Sequence, residues 1–272
     1  MLSEVTGLIL RETAFAENDK ILSVLTAEAG KLPVYAKGVR SYRNRFMSLS
    51  QQMCYNEFVL HEKQGKYWLR EAAPLASFYH IRENLSAWAL AQYVLDVLDC
   101  VCMNEVREPE LLKLGLNVLH LLEQGKKEQT LVKAVFEMRV AALAGFLPDL
   151  HTCARCDNAD GPFYFDVANG GLVCTTCLTA GHAKPLQDEW EVAAAGVCLP
   201  LTTEVLAALR FICSAPAKRI FSFSLPDASL AALSGVCETY LRWHTDRNFE
   251  SLKFYKYMQR DLSKQKQEDT NG

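Results

Sequence analysis

Two hydrophobic patterns divide the chain. Over the first seventy or so positions apolar and polar residues alternate in short runs, whereas past Pro74 the apolar residues recur at three and four spacing. The first part holds five such runs: Val5–Leu10, Lys20–Leu25, Lys31–Lys37, Gln52–Glu62 and Lys66–Glu71. Polar turns at Glu17-Asn18-Asp19, Glu28-Ala29-Gly30 and Lys63-Gln64-Gly65 separate them. Runs of this length and period, bounded by turn residues, predict strands. Five strands with no helix between them predict a small closed barrel.

In the second part, from Asn84 onward, Leu85, Trp88, Ala91, Leu95, Leu98 and Cys102 place apolar side chains on nearly all sides of one helix, as in a buried bundle member. Pro109 suits the first turn of a second helix through Leu122, which Gly125 ends, and Thr130–Ala144 reads as a third. Later, Thr203 and Asp227 are placed to cap further helices, and the aromatic, basic stretch from Leu241 to Lys256 is followed by a polar tail whose last eight or so residues are expected to lack structure. The expected class is therefore α+β. An oligonucleotide-binding (OB) type five-stranded barrel over residues 1–80 is the leading reading, with an SH3-like barrel as competitor. A helical domain over 81–272 follows, interrupted by a small module at about 150–182.

That module is the sharpest chemical signal. Cys153, Cys156, Cys174 and Cys177 form two Cys-x-x-Cys pairs around seventeen residues, in which Phe163-Tyr164-Phe165 and Leu172-Val173 are β-prone arms and Asn169-Gly170-Gly171 a turn. The spacing is that of a four-thiolate zinc site, and four protein ligands leave no coordination position open to water. One structural Zn2+ is the expected cofactor. His151 and His182 are near enough to be alternative ligands but read better as surface or packing residues. The other six cysteines read as small apolar side chains.

Charge changes the picture only through its distribution. Residues 1–82 hold eleven Lys/Arg against eight Asp/Glu, and residues 83–150 six against ten, although the whole chain is at −3. The acidic excess of the second segment is expected on helix exteriors. Five cations and no acid lie between Lys31 and Arg45, in what reads as a mobile loop. Lys31, Lys37, Arg40, Arg43 and Arg45 are thus the candidate phosphate contacts, with Gly38 permitting close approach and Tyr42 able to stack on a base. Arg11, Lys20, Arg70, Arg242, Lys253 and Lys256 are outer candidates. The bland alternative is a solvated surface loop and a terminal helix whose aromatics dock while its lysines stay wet. No window suits a signal peptide or membrane span, which points to the cytoplasm. Phosphate-loop, dinucleotide, nucleophile-elbow and metalloprotease motifs are absent, which argues against an enzyme. A zinc-ribbon scaffold for another assembly is the second reading and a zinc hydrolase a distant third.

The order of parts, together with Thr6-Gly7-Leu8-Ile9-Leu10-Arg11, Glu17-Asn18-Asp19-Lys20-Ile21-Leu22, Gly30-Lys31, Lys37-Gly38-Val39-Arg40 with Arg45, Gly170-Gly171-Leu172-Val173-Cys174, and Tyr240-Leu241-Arg242 with Ser251-Leu252-Lys253-Phe254, resembles the bacterial RecO family of DNA repair and recombination mediators. The resemblance covers nearly the whole chain. It implies an OB domain, a helical domain with a zinc finger, and no catalytic turnover. It further implies binding of single- and double-stranded DNA, strand annealing, and action at the nucleoid. The implied partners are RecR and the C-terminal tail of single-strand-binding protein, so that the RecA recombinase loads on coated DNA.

Overall fold

The computed structural model describes residues 2–182 and 197–271. In chain order the elements are β1 (Leu2–Phe15), β2 (Asp19–Thr26), β3 (Gly30–Ala36), β4 (Tyr55–Lys63), β5 (Lys66–Ala76), α1 (Leu85–Val101), α2 (Pro109–Gln124), α3 (Gln129–Leu143), β6 (Asp149–Cys153), β7 (Phe163–Asp166), β8 (Gly171–Cys174), the single turn α4 (Thr175–Cys177), β9 (Cys198–Leu201), α5 (Thr203–Ser214), α6 (Asp227–Thr245) and α7 (Glu250–Asn271). They form two compact units, residues 1–127 with 249–272, and residues 128–248.

In the first unit β1 to β5 close a barrel in the order β1-β2-β3-β5-β4, with β1 also pairing β4 and a parallel β3–β5 junction. This crossed order is the Greek-key arrangement of an OB-type barrel. Val5, Ile9, Leu22, Val24, Leu32, Val34, Phe58 and Leu60 fill it. β1 departs from strict alternation, because Leu8, Ile9 and Leu10 are all buried. Its inner face belongs to the barrel core, while its outer face is covered by α1 and α2.

Asn84 caps α1 by accepting from the Ala87 N–H, Pro109 opens α2, and Gly125 ends α2 in the left-handed region at φ 62°. The last helix, α7, packs along α1. Ser251 donates to Asp96 at 2.6 Å, Gln259 to Ser86 at 2.7 Å, and Phe254 meets Trp88 edge-on at 6.3 Å. The helix runs on through Asn271, so the last residues, expected to be unstructured, are helical as far as that position. No proline or glycine interrupts it before Asn271, and Lys, Gln and Glu are good helix formers.

In the second unit α3, α5 and α6 pack together beside a four-stranded sheet of order β6-β8-β7-β9. The expected hairpin is its β7–β8 pair; β6 and β9 extend it on either side. Thr202, not Thr203, caps α5 by accepting from the Val205 N–H. Asp227 is the first residue of α6 rather than its cap, since Pro226 occupies the capping position. Arg139 of α3 donates to the carbonyls of Ile212 and Cys213 at the end of α5, at 3.1 and 2.7 Å, satisfying acceptors that a helix end leaves open.

The expectation that the acids of residues 83–150 lie on helix exteriors fails at two of them. Asp99 is only 10% exposed and Glu137 is fully buried. Lys133, 3% exposed, lies 2.9 Å from both Glu137 and Glu238 and bridges α3 to α6. Its carboxylate partners outweigh burial and raise its pKa above the ordinary lysine value. Among the described residues no helix is long and apolar enough to cross a membrane.

Candidate nucleic-acid face and four-cysteine centre

The cysteine centre is assembled from strand ends and the turns that follow them. Cys153 ends β6 and Cys156 lies three residues on in a turn; Cys174 ends β8 and Cys177 closes α4. The turn between β7 and β8 is built by Asp166. This buried carboxylate accepts from the Asn169 backbone at 3.2 Å and side chain at 2.8 Å, while Gly170 adopts φ 62°. A Cβ on Gly170 would stand 2.5 Å from the Tyr240 hydroxyl, so both conformation and space demand glycine there. Tyr240 also stacks edge-on to Phe165 at 5.0 Å and donates to the Phe146 carbonyl at 3.0 Å, fixing the module on α6.

All four sulfurs lie within 4.8 Å of one another, and Cys156 Sγ is 3.7 Å from Cys174 Sγ. Four thiolates at the usual zinc–sulfur distance of about 2.3 Å stand about 3.8 Å apart in a tetrahedron, so the donor set and spacing fit zinc. Protonation chemistry agrees. Burial pushes the Cys153 thiol up, but the backbone N–H groups of Cys174, Arg155 and Cys156 outweigh it and bring the pKa down to about 6. Cys177 is pushed up to about 12 by its contacts with the Cys156 and Cys174 sulfurs. One thiolate forms readily while Cys156 and Cys177 resist ionising beside it, a conflict that a divalent cation removes. His151 is exposed and stands outside the group, and the side chain of His182 lies outside the described residues.

The cationic stretch after β3 is a chain of hydrogen-bonded turns. Ser41, Asn44, Met47 and Ser50 donate their N–H groups to Gly38, Ser41, Asn44 and Phe46 in succession. Val39 is buried in the barrel core and Phe46 packs against it, so apolar anchors alternate with the cations. Gly38 is required by its φ of 66°, and its N–H donates to Asp19 at 2.8 Å. The structure therefore gives Gly38 a turn-forming role.

Lys37, Arg40, Arg43 and Arg45 are exposed, as is Arg70 on β5. Arg40 donates to the Glu17 carbonyl at 3.0 Å, Arg43 to the Tyr42 hydroxyl at 2.8 Å, and the Arg45 guanidinium lies 4.6 Å from the Phe46 ring. Tyr42 is 78% exposed. Three other candidates are differently placed. Lys31 is 15% exposed and bound to Asp99 of α1, which also holds Arg11 and accepts from Ser23 at 2.7 Å. Lys20 pairs with Glu12. These interactions join strand to helix or strand to strand. Of the terminal candidates, Arg242 of α6 donates to Asn248 at 2.7 Å in the second unit, whereas Lys253 and Lys256 are exposed on α7, Lys253 paired with Glu250. The aromatics Tyr35 and Trp68, in register on β3 and β5 with Lys37 and Lys66 over their rings, were not singled out. Their signal in sequence is an aromatic flanked by lysine at two-residue spacing, which marks one strand face.

The class defined by these parts is a barrel protein with an anchored cationic surface, joined to helices that carry an inserted four-thiol ribbon. Comparison with known families makes it particular. Residues 1–78 match the N-terminal domain of recombination protein O and residues 82–253 its C-terminal domain. The chain belongs to the RecO family. It is 25% identical over 258 residues to DNA repair protein RecO of Acetivibrio thermocellus, covering 94% of this chain and 97% of that protein. It is 26% identical over 259 residues to DNA repair protein RecO of Bacillus subtilis, covering 95% and 96%.

Proposed function

We propose that this chain is a DNA repair mediator of homologous recombination that binds single- and double-stranded DNA and anneals complementary strands. Membership of the RecO family across both halves of the chain is the observation that carries this reading. Annealing requires two polyanions to be held without reading their sequence, and that calls for surface cations that contact phosphate rather than base edges. Lys37, Arg40, Arg43, Arg45 and Arg70 are exposed on the barrel unit and supply them. With a net charge of −3 the affinity is modest and falls steeply with salt. Displacing a coating protein then depends on partner contacts, with RecR and the tail of single-strand-binding protein as partners, so that RecA loads on the exposed strand. The division of labour follows residues 1–80 as the DNA-binding barrel and 81–272 as the partner-binding domain, in the cytoplasm at the nucleoid.

The four cysteines hold one zinc, which when bound supplies a rigid tetrahedral crosslink and no chemistry of turnover. The chain itself acts without catalysis. The deciding experiment is strand annealing on DNA coated with single-strand-binding protein, with and without that protein's C-terminal tail. Annealing that depends on the tail is expected; no annealing on bare DNA at low salt refutes the reading.

A further inference from the structure

On the barrel's outer surface, β3 and β5 pair in parallel with Tyr35 opposite Trp68. Val34, Ala36, Tyr67 and Leu69 belong to or pack on the barrel core. Strand alternation therefore turns Tyr35 and Lys37 outward on β3, and Lys66, Trp68 and Arg70 outward on β5. The Tyr35 and Trp68 rings lie 4.9 Å apart with a 32° tilt, and Phe15 meets Tyr35 edge-on at 5.9 Å. Lys37 Nζ sits 4.8 Å from the centre of the Trp68 ring and Lys66 Nζ 5.6 Å from that of Tyr35.

We propose that Tyr35 and Trp68 form a base-stacking platform that gives the barrel a preference for single-stranded over duplex DNA. The proposal rests on the reading of the chain as a DNA-binding protein and adds the residues that discriminate between strands. Unpaired bases present two π faces, whereas a duplex offers them only at its ends. Three cations, Lys37, Lys66 and Arg70, stand on the same face as the rings, with Glu71 farther along β5, and this excess of positive charge beside two rings fits a polyanion that also has aromatic faces. An exposed cation–π contact is weaker than a base–aromatic stack. An arriving base thus displaces the lysine from its ring, and the freed ammonium moves to the adjoining phosphate. Lys37 and Lys66 are place-holders that keep the rings oriented and become phosphate contacts when a strand binds. Lys37 is also the first residue after β3, so the strand on the platform continues onto the cations of Arg40, Arg43 and Arg45.

The test is equilibrium binding of the full chain to three ligands of equal length: a dT oligonucleotide, the same backbone with abasic sites, and a blunt duplex. The unaltered protein should bind dT more tightly than the abasic strand. Trp68→Ala should weaken dT binding by about 5–150-fold with less than about twofold effect on the abasic strand and duplex, and Trp68→Phe should restore most of it. Lys37→Ala should instead reduce the salt slope by about one on dT, with a smaller effect on the abasic strand and the duplex, which bring no base to free the ammonium. Equal losses on dT and abasic DNA, or no discrimination between them by the unaltered protein, would overturn the platform, as would a lowered melting temperature that accounts for the whole Trp68→Ala effect. Failure to bind any of the three at low salt would instead remove the DNA-binding reading itself.

Discussion

Lys133→Met removes the single cation shared by two carboxylates in the interior of the second unit. Glu238 keeps the Arg242 guanidinium at 3.9 Å, whereas Glu137, fully buried, loses the ammonium 2.9 Å away. Breaking a buried ion pair from one side costs about 3–5 kcal/mol. A ceiling follows from protonation, because Glu137 can take up a proton instead of remaining charged. Holding one glutamate neutral at pH 7 against its unfolded value near 4.3 costs about 3.7 kcal/mol, at about 1.36 kcal/mol per pH unit. The loss at pH 7 is therefore expected to be about 3–4 kcal/mol, and at pH 5 only about 1 kcal/mol. Sign and window agree: the variant's folded state holds a proton that its unfolded state releases, so its stability rises as pH falls toward 4.3. Lys133 itself, with its pKa raised, contributes stability throughout the range below the ordinary lysine value and loses it only as pH climbs past that. Urea unfolding followed by circular dichroism at both pH values measures this. A loss under about 1 kcal/mol at pH 7, or one equally large at pH 5, would refute the claim that the cluster is a buried charge balance.

Three further outcomes are expected. Elemental analysis should find about one zinc per chain, and Cys174→Ser should release it and expose the 149–177 module to limited proteolysis; full retention would count against a four-thiolate site. The triple substitution Arg40→Ala, Arg43→Ala and Arg45→Ala should lower the salt slope of DNA binding by about two to three with an unchanged melting temperature, whereas Lys31→Ala should chiefly lower the melting temperature, because its partner is Asp99; the reverse pattern would exchange their roles. Burial depresses the His244 pKa against a smaller opposing contribution from its hydrogen bond to the Val167 carbonyl. Its contribution to stability is present above the unfolded value near 6.5 and is lost as pH falls through the lower folded value, so His244→Phe should flatten stability between pH 7 and 5 as followed by thermal melts.

The barrel was legible because its strands alternate and its turns carry Gly, Asn and Asp, and the metal centre because ligand spacing is local. Strands β6 and β9 were not, since each is four or five residues long and is a strand only through pairing with the hairpin. The same distinction divides the cations. Local charge density finds the surface residues Arg40, Arg43 and Arg45 as readily as Lys31, but the acid that engages Lys31 lies 68 residues away on α1. The buried Lys133 cluster was missed for a related reason. Lys133 and Glu137 are spaced like an ordinary exposed helix pair, and only the packing of α6 turns that face inward.

The docking of α7 on α1 makes the second unit an insertion within the first. Tyr93, which is buried, meets Phe249 edge-on at 5.6 Å, so the face of α1 is completed by chain that lies beyond residue 248. During synthesis the barrel, α1 and α2 must wait, with part of α1 uncovered, until the entire 128–248 unit has emerged. The inserted unit can finish folding before its host, and any nascent-chain misfolding should begin at the waiting face of α1. Removing residues 249–271 would recreate that unfinished intermediate as a permanent state.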